Sequence, residues 1–243
     1  MNNKFLALAI ISILISFACG FMLANALNRS EMAKLEALNT KVQKEEKSPA
    51  GGADGLNLSK EEIKAKIDEA DNNSKDFAFQ KGLGLALYRY AAVKQETELF
   101  TDVIRLLERA NQLNPDDYLV IVSLGNIYYD VGQINKDSKS NLKARELYKK
   151  ALEKNPKDTN VLTDYGLTFL LNDIPDKKRA IKEFETALSE NPKNEKALVY
   201  MTQAQAEEKN TDEAKKYLTR LKEVNPNNER ITSLEALISG ENK

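Results

Sequence analysis

Asn-Pro occurs four times in this chain, at Pro115, Pro156, Pro192 and Pro226, with spacings of 41, 36 and 34 residues. Proline has no backbone N–H and pushes its predecessor out of the α region, so each Asn-Pro ends a helix and turns the chain. Small or apolar residues stand 12, 8 and 5 positions before each proline. They are Val103, Leu107 and Ala110; Ala144, Tyr148 and Ala151; Ala180, Phe184 and Ala187; and Ala214, Leu218 and Leu221. Steps of four and three keep all three residues on one helix face, where alanine lets a neighbouring helix approach closely. Each unit also opens with a helix of its own. Leu83, Gly84 and Leu87 correspond to Leu124, Gly125 and Tyr128, and to Tyr165, Gly166 and Phe169. Gly84 to Val103 and Gly125 to Ala144 are both 19 residues, so the first two units share one seven-residue expansion. No long window alternates as a strand would, which makes the chain all-α.

This register resembles the tetratricopeptide repeat (TPR), a helix–turn–helix of 34 residues. The resemblance runs over 77–228, in units 77–117, 118–158, 159–194 and 195–228. The second and third match well. The first carries Val103 at the packing alanine, and the fourth carries Thr202 and Gln205 where glycine and an aromatic are usual. The implied fold is a right-handed superhelical solenoid of about four helix pairs. A leading helix over 59–76 precedes it, with Ser59 and Glu62 as a capping box and Ile63, Ile67 and Ala70 on one face. The segment 229–243 carries Ile231, Leu234, Leu237 and Ile238 on one face and reads as the capping helix and tail that an open solenoid end requires.

The region ahead of the repeats has a different character. Residues 5–27 contain no charge, and a run of that length can cross a bilayer as one helix. Residues 1–27 are therefore expected to be a transmembrane anchor. A cleaved signal peptide competes, because Ala24, Asn25 and Ala26 fit a small-x-small cleavage pattern, and a lipid on Cys19 is a third reading. Residues 28–47 read as a charged juxtamembrane helix of about 30 Å, and 48–58 as a flexible linker. Leu35, Leu38 and Val42 follow a heptad spacing that would allow a homodimer through 31–45, though Glu31 and Glu45 interrupt it. The expected location is the cell membrane, single-pass, with the repeats outside the cytoplasm in the periplasm. The cationic residues Arg29, Lys34, Lys41 and Lys44 favour the opposite orientation.

Composition narrows the chemistry. The 36 basic and 37 acidic residues leave a net charge of −1, which gives no grip on nucleic acid. There is no His, hence no imidazole base or ligand, and one Cys cannot form an internal disulfide or a cysteine zinc site. Gly82 and Gly84 lack the context of a dinucleotide loop, and 68–76 lacks the glycine and final glutamate of a calcium loop. The sequence offers no catalytic constellation, no metal and no cofactor, and the expected partner is another protein or a peptide segment.

The TPR resemblance implies a concave wall built from the first helix of each unit. The residues carried onto it are Val122, Asn126, Tyr129, Thr163, Leu167, Leu171, Tyr200 and Gln203. Such a wall reads as apolar and aromatic with a few neutral amides, so binding should resist salt. The family's chaperone clamp is incomplete here. Of its positions Asn126 and Lys196 suit, whereas Val122, Asn160, Asp164 and Tyr200 do not. The expected function is a membrane-tethered scaffold that holds a partner's segment in the groove. The alternative is a structural tether or assembly factor of an envelope complex. The layout is similar to membrane-bound TPR subunits of bacterial cytochrome c maturation.

Overall fold

A computed structural model of the chain describes residues 59–240. The proposed anchor, juxtamembrane helix, linker and dimer segment all lie outside these residues. Among the described residues no helix is long and apolar enough to cross a membrane. They form ten α-helices and no strand. In order these are α1 (Lys60–Asn72), α2 (Phe77–Lys94), α3 (Phe100–Leu113), α4 (Tyr118–Asn135), α5 (Ser138–Lys154), α6 (Thr159–Leu170), α7 (Lys177–Glu190), α8 (Glu195–Glu207), α9 (Thr211–Val224) and α10 (Ile231–Ser239). They pair as α2 with α3, α4 with α5, α6 with α7 and α8 with α9, and each second helix packs on the next first helix. Neighbouring first helices also touch along the stack, whereas no two second helices pack together to the same extent. The first helices therefore lie on the inside of the curve.

Each Asn-Pro builds the whole junction between pairs. Asn155 ends α5, its carbonyl accepts from the Asp158 N–H at 3.3 Å across the proline, and Asp158 then caps α6. Its Oδ1 accepts from the N–H groups of Asn160 and Val161 at 3.0 and 3.1 Å. Asp117 caps α4 in the same way through Val120, and Asn194 caps α8 through Ala197. The N-cap side chains satisfy donors that a helix start otherwise leaves orphaned. All three caps also bind the preceding first helix. Tyr118 donates its hydroxyl to Asp158 at 2.7 Å, Lys81 reaches Asp117 at 2.7 Å, and the Asn194 amide donates to the Thr159 carbonyl at 3.3 Å.

Within the first three pairs, the residue eight before the proline lies on the glycine of the first helix. A Cβ on Gly125 would stand 2.7 Å from the Tyr148 ring, and one on Gly166 would stand 2.5 Å from Phe184. Leu107 covers Gly84 in the same way. The shared expansion lengthens the first helices. α2 and α4 have 18 residues each against 12 for α6 and 13 for α8, and both end on a left-handed residue, Gln95 or Lys136. In the fourth unit the irregular residues are accommodated in the core. Thr202 is fully buried with its hydroxyl donating to the Leu198 carbonyl, and buried Gln205 accepts from Asn210.

Both ends of the array are covered. α1 buries Ile63, Ile67 and Ala70, as its spacing predicts. Gln80 donates to the Ala70 and Asn73 carbonyls, while Arg105 and Arg109 both pair with Asp71. At the other end α10 buries Leu234 against α8 and α9, with Ile231 and Ile238 packed at the edge of the same core.

Candidate peptide-binding groove

Of the residues expected on the inner wall, Val122, Asn126 and Tyr129 lie on α4, Leu171 just after α6, and Tyr200 and Gln203 on α8, all half-buried. Tyr200 stacks on Phe184 at 6.4 Å between ring centres, and the guanidinium of Arg230 lies 5.8 Å from the Tyr200 ring centre. The polar members are already engaged. Asn126 accepts from the Tyr148 hydroxyl at 2.9 Å, and Gln203 bridges Glu207 and Arg230.

Two expected wall residues fall elsewhere. Thr163 is fully buried, with its hydroxyl donating to the Thr159 carbonyl at 2.6 Å. Leu167 is 1% exposed and belongs to the core shared by α6 to α10. Short α6 packs between α4 and α8, and of its middle residues 163–168 only Asp164 is not buried.

The wall is also more acidic than an apolar reading of the sequence expects. Asp130 of α4 and Asp164 of α6 are half-buried and lie close enough to Tyr129 for their fields to reach it. Asp164 accepts from Lys196 of α8 at 2.5 Å, and Asp130 accepts from the Tyr88 hydroxyl of α2 at 2.7 Å. Burial pushes the proton affinity of Asp164 up against the pull of Lys196, and nearby Asp158 and Asp130 push it further. Burial likewise raises Asp130, opposed by the Tyr88 hydrogen bond and by Lys196. The phenols of Tyr88 and Tyr129 are raised well above their ordinary range, chiefly by burial and then by the fields around them, those of Asp130 and Asp164 included. Lys196, the one cation that suited a chaperone clamp, is committed to Asp164.

Tyr88 and Asp130 were absent from the sequence-based wall. Tyr88 stands 41 residues before Tyr129, the first repeat spacing, so carrying the register back one unit would have found it. Asp130 is the residue after Tyr129, and Glu207 stands at the same offset from its own packing position, five after Thr202 as Asp130 is five after Gly125.

Stacked helix pairs with their first helices on the inside define an α-solenoid, a class built for protein interaction. The repeat is the tetratricopeptide repeat. Tetratricopeptide repeat models match residues 125–158 and 176–238, and these stretches are tetratricopeptide repeats. Its sequence is 32% identical over 144 residues to the BBSome complex member BBS4 of Bos taurus, covering 59% of this chain but only 24% of that protein. Among solved structures it is similar to MamA (residues 41 to the end) from Desulfovibrio magneticus RS-1, with a TM-score of 0.56 at 12% identity over 70% of this chain and 86% of that one. YrrB, described as a TPR protein with an unusual peptide-binding site, gives a TM-score of 0.56 at 15% identity over 72% and 82%. At these identities the structural likeness concerns the fold alone.

Proposed function

We propose that this protein is a membrane-tethered scaffold whose inner wall captures an extended segment of a partner protein. The observation that carries the capture reading is the row of half-buried side chains from successive first helices, with Tyr129 and Tyr200 as its largest faces. Tyrosine combines contact area, a polar handle and little entropy to lose, which suits it to anchor a bound chain. Each Å² of apolar area removed from water contributes about 25 cal/mol. YrrB, with a peptide-binding site on the same repeat, supports the reading by analogy.

Photo-crosslinking in cells tests it. A benzophenone amino acid at position 129 or 200 should capture one partner, and the same group at exposed Lys149 or Glu185 on the second helices should not. Crosslinks formed only from positions 149 and 185 would instead favour the structural tether.

The tether rests on the uncharged run at residues 5–27. Full-length protein should stay in the membrane pellet after carbonate extraction. Release of a soluble form that begins at Leu27 would overturn the anchor and leave the groove untouched.

A further inference from the structure

Polar side chains from four successive first helices meet in two pairs, Tyr88 with Asp130 and Lys196 with Asp164. Charge is not balanced along this line. Lys196 is bound to Asp164, and Asp130 receives only the neutral Tyr88 hydroxyl, with no cation in an ion pair with it among the described residues. Asp117 and Glu207 are matched by Lys81 and Lys177, whereas Asp158 at the cap of α6 and Glu195 at the start of α8 are held by neutral donors. A half-buried carboxylate without a counter-ion costs stability, and its field is less screened than that of a surface charge.

We propose that the groove selects a partner segment carrying a lysine or arginine, whose cation docks at Asp130 beside Asp164. The inference rests on the capture reading and adds its chemistry. A cation entering there supplies the missing charge, and its aliphatic stem lies on the tyrosine faces that flank the carboxylates. Arg230 already stands over the Tyr200 ring, so the wall accepts a guanidinium on an aromatic face. An acidic segment would meet Asp130 and Asp164 with the same sign, and the groove disfavours it. The field of Asp164 reaches Tyr129 and Tyr148 as well as Lys196, which places these groups around one site.

The probe is a phage-displayed library of random twelve-residue peptides selected against the full chain. Enriched peptides should share a lysine or arginine next to aliphatic or aromatic residues. Replacing that residue by norleucine should weaken binding at least tenfold, and Asp130→Asn should erase the difference. Asparagine keeps an oxygen for the Tyr88 hydroxyl, so the variant retains the local contact. Enriched peptides without a cation, displaced by Tyr129→Ala, would overturn the cation site and leave the capture reading standing. Basic peptides that bind Asp130→Asn and Asp164→Asn as tightly as the parent would overturn it too, as diffuse electrostatic attraction. Enrichment of no sequence would sink both readings.

Discussion

Burial raises the proton affinity of Asp130, and neither the Tyr88 hydroxyl nor the Lys196 ammonium cancels the effect. In the folded chain this carboxyl holds its proton more tightly than in the unfolded chain, so the carboxylate costs stability at neutral pH. The cost is relieved as pH falls through the raised folded value towards the ordinary carboxylate one. Asp130→Asn should therefore raise the urea midpoint at pH 7, and the advantage over the parent should shrink on acidification. A lower midpoint at pH 7 would mean the carboxylate stabilises the free protein, contrary to its unmatched surroundings. Gly166 makes the opposite kind of statement. Its Cβ position lies 2.5 Å from the Phe184 ring, so Gly166→Ala should overpack the pair α6–α7 and destabilise by roughly 1–3 kcal/mol in urea unfolding. An unchanged midpoint would mean that the ring moves aside at no cost. That contact was legible in the sequence, because glycine and the aromatic recur at matched places in successive units. The charge state of Asp130 was not, since it depends on what four separate helices leave around one oxygen.

At the scale of elements, the junctions were the most legible part. Asn-Pro followed two residues later by Asp or Asn writes a helix stop, a turn and a cap in four letters, and the structure joins them by hydrogen bonds. Asp158 caps α6 and accepts from Tyr118 of the preceding unit, so Asp158→Ala should cost about 1–2 kcal/mol in urea unfolding. A loss no larger than that of Tyr118→Phe would show that capping contributes little. The shared seven-residue expansion was visible as a spacing, but its place within the unit was not. The structure puts it at the end of the first helix: α2 and α4 run ten residues past their packing glycine, and α6 runs four. The same difference explains why the wall was misread at α6. Wall positions transferred at a fixed offset assume equal surroundings, yet α6 packs on α8 more closely than the longer first helices pack on one another, and it buries Thr163 and Leu167.

For the whole molecule, a repeat register predicts which helices line the inside but not how charge is distributed over them. The family resemblance implies wall positions for Tyr129 and Tyr200, whereas the pairing of Asp164 with Lys196 and of Asp130 with Tyr88 exists only once the units are stacked. The expectation of salt-resistant binding changes accordingly. Apolar contacts with the tyrosines persist at high salt, and the part owed to Asp130 weakens as screening grows. On the proposed reading the tyrosines remain the anchors, because interface energy concentrates in a few large side chains. The central claim is that the inner wall holds the partner, and fluorescence anisotropy of a labelled, selected peptide against the full chain tests it most directly. Tyr129→Ala and Tyr200→Ala should each weaken binding by about 1–2 kcal/mol, roughly 5- to 30-fold, with helical content by circular dichroism unchanged. Affinity that stays at the parent value in both variants, with the helices intact, would place the partner on another face of the solenoid and contradict the account.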